Sequence, residues 1–188
     1  RKMSGAELPI ASDAQTSSGP LILVGASRFT EQMPGLSIPS GLTRELREEG
    51  FVLSCRADRL VLTGNDAGPY YGTRYAVVEL LHRLGMRWFM PGDFGEVVPE
   101  ARSLTVPEME VRQRPDFPMR NYWQHHRGRM EAEDTEWKIH HKLNPRMQDW
   151  FGVPGDSSIR GYMPGQEEFK AHPEWFALQR DGRRDEHM

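Results

Sequence analysis

Chemistry in this chain begins with its histidines. Seven occur, and two adjacent pairs, His125-His126 and His140-His141, are where a ligand or a proton could be handled. Glu136 and His140 stand four apart on a stretch of helical character, a spacing that lets a carboxylate and an imidazole share one ligand. The His-Glu-x-x-His pattern of zinc hydrolases is absent, and neighbours on a helix point about 100° apart, so His140-His141 reads as a helix face. Glu131, Glu133, Asp134 and Glu136 form a carboxylate-rich run. Paired carboxylates drive most glycoside hydrolysis. Acids in the first turns of a helix are also what its dipole favours, so the run reads as a solvated helix start.

Gly64 to Gly72 (GNDAGPYYG) lies between a strand-like and a helix-like stretch, where phosphate loops occur. The last glycine is followed by Thr73-Arg74 rather than Lys-Ser/Thr, and the glycines stand four apart rather than in the G-x-G-x-x-G spacing. The glycines therefore read as a turn with close packing of helix on strand. Five tryptophans could stack on sugar faces, but tryptophan mostly supplies burial. Cys55, alone of its kind, sits in an alternating apolar run and reads as a structural thiol, with no partner for a disulfide and no thiolate set for zinc.

Elements must hold these residues. With 188 residues, 37% hydrophobic and 27% charged, the composition is that of a globular chain long enough for one domain and part of another. The net charge of −3 gives no reason to expect nucleic acid or an anionic membrane as partner, and no run approaches the about 18 apolar residues of a membrane span. Pro20–Gly25 reads as a buried strand, and residues 26–41 as a loop with a short helical turn. Residues 51–55 and 60–63 form a hairpin. Val77, Leu80, Leu81 and Leu84 make one apolar helical stripe, with Gly85 at the left-handed position that ends a helix.

Further along, residues 87–89, 97–99 and 103–106 read as extended pieces and 109–113 as an edge strand or linker. Residues 119–123 read as a strand, 131–142 as a helix, 144–165 as a long loop, 167–171 as a helical turn and 175–178 as a strand. Arg1 to Gly5 reads as the end of a helix closed by a glycine rather than as a natural start.

The stretch Leu60–Leu81 (LVLTGNDAGPYYGTRYAVVELL) resembles the strand, turn and helix of the small α/β domain that precedes the barrel in β-hexosaminidases. Leu84–Pro99 (LGMRWFMPGDFGEVVP) and His172–Leu178 (HPEWFAL), followed by Asp181-Gly182-Arg183, are similar to a group of bacterial proteins known as a domain of unknown function. That group shares its N-terminal domain with α-glucuronidases and β-hexosaminidases. The implied fold is an α+β domain over residues 1–113, lacking its first strand and most of its first helix. The start of a (β/α)8 barrel over residues 114–188 would follow. Residues 116–188 fall far short of the about 250 residues such a barrel takes.

The resemblance also implies roles. Pro115-x-Phe117-x-x-Arg120 is similar to the approach to the first barrel strand of hexosaminidases, whose arginine binds sugar hydroxyls. A planar fork of donors suits two vicinal oxygens. Arg120 is thus the expected substrate-binding residue, with Trp123 and His125 lining the pocket, while a boundary salt bridge is its structural alternative. The segment Asn121 to His126 departs from the hexosaminidase pattern, which weakens the case for N-acetylhexosamine specificity.

No Asp-Glu pair stands where the family's acid belongs, so no catalytic residue, metal or cofactor is assigned to this chain. The expectation is an inactive piece of a glycoside hydrolase acting on a glycan, exported to the periplasm or medium. A non-catalytic carbohydrate-binding or scaffolding protein on the same fold is the alternative. A metal-dependent hydrolase using His125 and His126 is a third reading. The sequence says nothing of the oligomeric state.

Overall fold

The computed structural model describes residues 1–15, 18–122, 130–147 and 165–184. The chain divides into two compact units, Arg1–Trp150 and Phe151–Met188. It is mixed α/β, with a small sheet and few helices.

The first unit is built on a hairpin. Strand β2 (Phe51–Arg56) pairs antiparallel with β3 (Arg59–Gly64) around Ala57-Asp58, with Ala57 left-handed at φ +48°. On the far side of β3 runs β1 (Leu21–Val24), parallel to it, and on the far side of β2 runs β6 (Met109–Gln113), antiparallel. The order is therefore β1-β3-β2-β6. Both faces of the central pair are apolar because both are covered: Val52, Leu53 and Val61 are fully buried. Each contributes about 1.5–3 kcal/mol by leaving water. The short helix α1 (Arg28–Glu31), capped by Ser27, follows β1 as expected.

Helix α2 (Gly72–Arg83) lies on one face of β2 and β3. Its expected stripe is only part of its contact surface. Tyr71, Tyr75, Ala76 and Leu80 face the sheet core, whereas Val78 and Leu81 turn sideways toward Met86 and Trp88. The tyrosines reach the core because their rings are long enough to bury the body and still bond at the tip. Gly85 adopts φ +97° at the end of α2, as the sequence predicts. Strand β4 (Arg87–Trp88) then pairs with β5 (Glu96–Val97).

Several expectations need correction. The Pro20–Gly25 segment forms its strand, but at the sheet edge. Leu23 is its buried residue, while Ile22 and Val24 keep 48% and 58% of their surface. Residues 119–122, the described part of the expected first barrel strand, form no ladder; there the backbone carbonyl of Arg120 accepts from Asn144 N–H at 2.6 Å. Helix α3 (Glu131–His140) forms where predicted, and Ile139, fully buried, joins the core under α2. Residues 114–147 fall within the first compact unit, Arg1–Trp150. Much of the expected 144–165 loop lies outside the described residues.

In the second unit, α4 (Gln166–Ala171) is followed by a 3-10 turn, Pro173–Trp175, and one isolated bridge, Leu178 to Arg184, where a strand over 175–178 was expected. Phe176 is buried and meets Phe169 edge-on at 5.1 Å.

Candidate functional site

The glycine-bounded turn before α2 is fully committed to its own fold. Asn65 N–H donates to Gly50 O at 2.9 Å, Gly72 N–H to Asn65 O at 3.0 Å and Tyr70 N–H to Ala67 O at 3.1 Å. Tyr71 N–H donates to the Glu49 carboxylate at 2.8 Å and Thr73 N–H to that of Asp66 at 2.9 Å. Two carboxylates therefore already hold the helix N-terminus, where a phosphate would need free N–H groups and positive potential. A Cβ on Gly72 would lie 2.6 Å from both Asn65 O and Gly50 O, so glycine is required there by close backbone approach.

Directly beneath that turn lies Arg120. The side chain of its ion-pair partner Glu49 is completely buried, and that of Arg120 is 16% exposed. Nε donates to Lys142 O at 3.0 Å, and Nη1 donates to Phe117 O at 2.9 Å and Pro118 O at 3.1 Å. Nη2 donates to Glu49 and, at 3.5 Å, to the Tyr75 hydroxyl. All five N–H groups of the guanidinium are thereby matched. Glu49 is equally saturated, accepting from Tyr71 N–H and from Asn144 Nδ2 at 2.7 Å besides Arg120. Asn144 in turn donates to Pro69 O at 2.9 Å. The cluster ties four places in the chain to one buried charge.

A cavity of about 230 Å³ opens beside it, lined by Phe51, Tyr75, Gln113, Arg114, Arg120 and Lys142 among others. Lys142, itself left-handed at φ +56°, bonds Gln113 Oε1 at 3.0 Å and pairs with Glu79. Burial pulls the Glu79 carboxyl upward, but Lys142 and Arg83 outweigh it and hold it below the ordinary carboxylate range. Burial and the nearby Glu49 charge push the Tyr75 hydroxyl well above its usual value, so it stays protonated and donates to Leu143 O at 2.9 Å. The cavity offers cationic and amide groups over an apolar wall, and the two nearest carboxylates, Glu49 and Glu79, are both ion-paired.

Of the expected site residues, Arg120 stands at this cavity, and Trp123, His125 and His126 lie outside the described residues. Glu136 and His140 do not share a ligand: Glu136 pairs with Arg74, and His140 stacks on Trp88 at 4.1 Å. His82 also meets Trp88, tilted at 5.4 Å, so that indole contacts two imidazoles. Trp137 donates to Trp88 O at 2.9 Å and meets Tyr122 edge-on. Asp134, expected in solvent, is buried against Lys138 at 2.9 Å, while Glu131 and Glu133 in the same first turn are exposed as expected. Cys55 donates to Val106 O at 3.7 Å, a structural contact. Among the described residues, no three His, Cys, Asp or Glu side chains gather as metal ligands, and no helix is long and apolar enough to cross a membrane.

Glu49, Asn144 and Lys142 were invisible to sequence reasoning. Glu48-Glu49 before Gly50 looks like surface charge, and nothing local distinguishes the buried carboxylate from its neighbour. Glu48 lies nearer solvent, where Thr43 and the Tyr70 hydroxyl lower its carboxyl to about 2.

The model of the family described as Domain of unknown function (DUF4838) matches residues 90–188, more than half the chain. This chain belongs to that family. The match takes in most of the Leu84–Pro99 segment and all of His172–Arg183, two of the stretches on which the family resemblance rests. No curated protein and no solved structure matches the chain.

Proposed function

We propose that this DUF4838 chain is part of a carbohydrate-active protein whose sugar contacts gather at the cavity beside Arg120. The observation that supports this reading is the lining itself. Gln113, Arg114 and Lys142 present donors suited to hydroxyl or carboxylate oxygens, and Phe51 and Tyr75 present apolar surface suited to a sugar's C–H face. Arg120 acts in this reading chiefly as the strut that sets the cavity wall, since a sugar hydroxyl reaches it only by displacing one of five internal acceptors. Neither Glu49 nor Glu79 is placed to meet a glycosidic oxygen, because each is already engaged in an internal ion pair. The chain alone is therefore expected to show no saturable hydrolysis of aryl glycosides, and turnover that saturates would overturn that assignment.

A second reading, a non-catalytic carbohydrate-binding or scaffolding protein on the same fold, is favoured by the complete internal saturation of Arg120. Titration of the 15N-labelled chain with mono- and disaccharides, uronic acids and N-acetylated sugars among them, tests both. Saturable shifts at Gln113, Arg114 and Lys142 are expected. A panel that leaves these resonances unmoved would remove carbohydrate recognition from this cavity.

A further inference from the structure

Donors and acceptors at the cavity beside Arg120 are unevenly used. Every side-chain oxygen that lines it is engaged within the protein. Glu49 Oε1 accepts from Tyr71 N–H and Asn144 Nδ2, and Oε2 accepts from Arg120. Gln113 Oε1 accepts from Lys142 at 3.0 Å. The Tyr75 hydroxyl donates to Leu143 O at 2.9 Å and faces Nη2 of Arg120.

Donors, by contrast, are in surplus. Lys142 has three N–H groups; Glu79 and Gln113 take two of them, and one remains. Because the ammonium holds the carbonyl end of the Gln113 amide, the NH2 end turns away from it and meets no acceptor among the described residues. Arg114, next in the chain, forms no hydrogen bond and no ion pair among the described residues, so its five N–H groups are free for solvent or a ligand.

Charge follows the same pattern. Arg114, Arg120 and Lys142 face the cavity against one lining carboxylate, Glu49. Glu49 balances Arg120, and the single charge of Glu79 is divided between Lys142 and Arg83, so the surplus is positive and includes Arg114. A neutral sugar hydroxyl donates as well as accepts, and burying one against this wall leaves its hydrogen without a side-chain oxygen to meet. A carboxylate or a sulfate ester accepts on its oxygens and donates nothing. That matches the wall, and its bonds to guanidinium and ammonium are charge-assisted.

Given that the cavity takes carbohydrate, as proposed above, we infer that it selects a sugar bearing an anionic oxygen group, a carboxylate or a sulfate ester, and that Arg114 reads that charge. The planar fork of Arg114 spans two oxygens of one such group, while Lys142 and the Gln113 amide supply the neighbouring donors.

Glucose, glucuronate and glucose 6-sulfate share one ring and differ in the group at its sixth carbon, so titrating each into the 15N-labelled chain isolates the charge. At least one anionic sugar is expected to bind about tenfold more tightly than glucose, with shifts at Gln113, Arg114 and Lys142, and the tighter of the two names the group. Arg114→Gln should remove most of that preference, and Arg114→Lys, which keeps the charge without the fork, should retain part of it. Equal affinities for all three sugars would overturn the charge selection and leave the carbohydrate reading standing. Inorganic sulfate that binds as tightly as the anionic sugars would overturn it too, since the cavity would then hold an anion without reading a sugar. A preference undiminished in Arg114→Gln would overturn the role of Arg114. Silence toward every sugar would remove the carbohydrate reading itself, and this selection with it.

Discussion

The Glu49–Arg120 pair is the most exposed to test, because its geometry leaves no spare acceptor or donor. Replacing Arg120 by Met leaves a fully buried carboxylate with Tyr71 N–H and Asn144 as its remaining partners. Breaking a buried pair from one side costs about 3–5 kcal/mol, and water reaching the partly open arginine end places the expectation near about 3 kcal/mol. Glu49→Gln keeps the shape but not the pattern. If its carbonyl oxygen serves Tyr71 and Asn144, its amide NH2 faces the guanidinium, donor against donor. Reversed, the NH2 faces two other donors. A loss of about 2–3 kcal/mol follows from one unsatisfied buried group. In the double variant the guanidinium is gone, so the amide oxygen can serve Tyr71 and Asn144 without conflict. The two losses then fall short of additivity by about 2 kcal/mol. Urea denaturation monitored by circular dichroism on the four proteins reads the cycle directly. Additivity within about 0.5 kcal/mol, or single losses under about 1 kcal/mol, would refute the strut and return Arg120 to a role in ligand contact.

Two other predictions follow from named contacts. Gly72→Ala drives a Cβ into the Gly50 and Asn65 carbonyl oxygens, which are backbone and cannot step aside, so a loss of about 3 kcal/mol or more is expected in the same denaturation assay. His82 and His140 both titrate below the ordinary 6.5, burial being the main cause, with Arg87 adding to it at His82 and Arg74 at His140. Since folding lowers these values, their contribution to stability is whole above about pH 6.5 and is lost as pH falls toward the folded values. His140→Phe, which keeps a ring on Trp88, should flatten the decline in urea midpoint between about pH 7.5 and pH 5; an unchanged slope would show that His140 does not carry it.

Local rules were legible wherever one element's own residues sufficed. The hairpin of β2 and β3, the span of α2 and its glycine stop, the edge strand β6 and helix α3 all follow from periodicity, propensity and turn chemistry within a dozen residues. The structural reading of the Gly64–Gly72 turn also follows from spacing, and the saturated N–H groups supply its reason. Family membership was readable too, because it rests on contiguous segments that need no folding to be compared.

Partnership across the chain was not legible, because it depends on which distant groups share one low-dielectric space. Nothing in Glu48-Glu49 tells which carboxylate is sealed under Arg120, and nothing in Glu131 to Glu136 tells that Asp134 turns inward while Glu136 reaches Arg74. The apolar run Leu21–Val24 specified a strand, yet its place at an uncovered edge was decided by the reach of α2, which spans only two of the four strands. Sequence by itself determined the central hairpin, helices α2 and α3, and the family. Tertiary packing alone decided which charges are buried, which cavity Arg120 frames and which face of the sheet remains open.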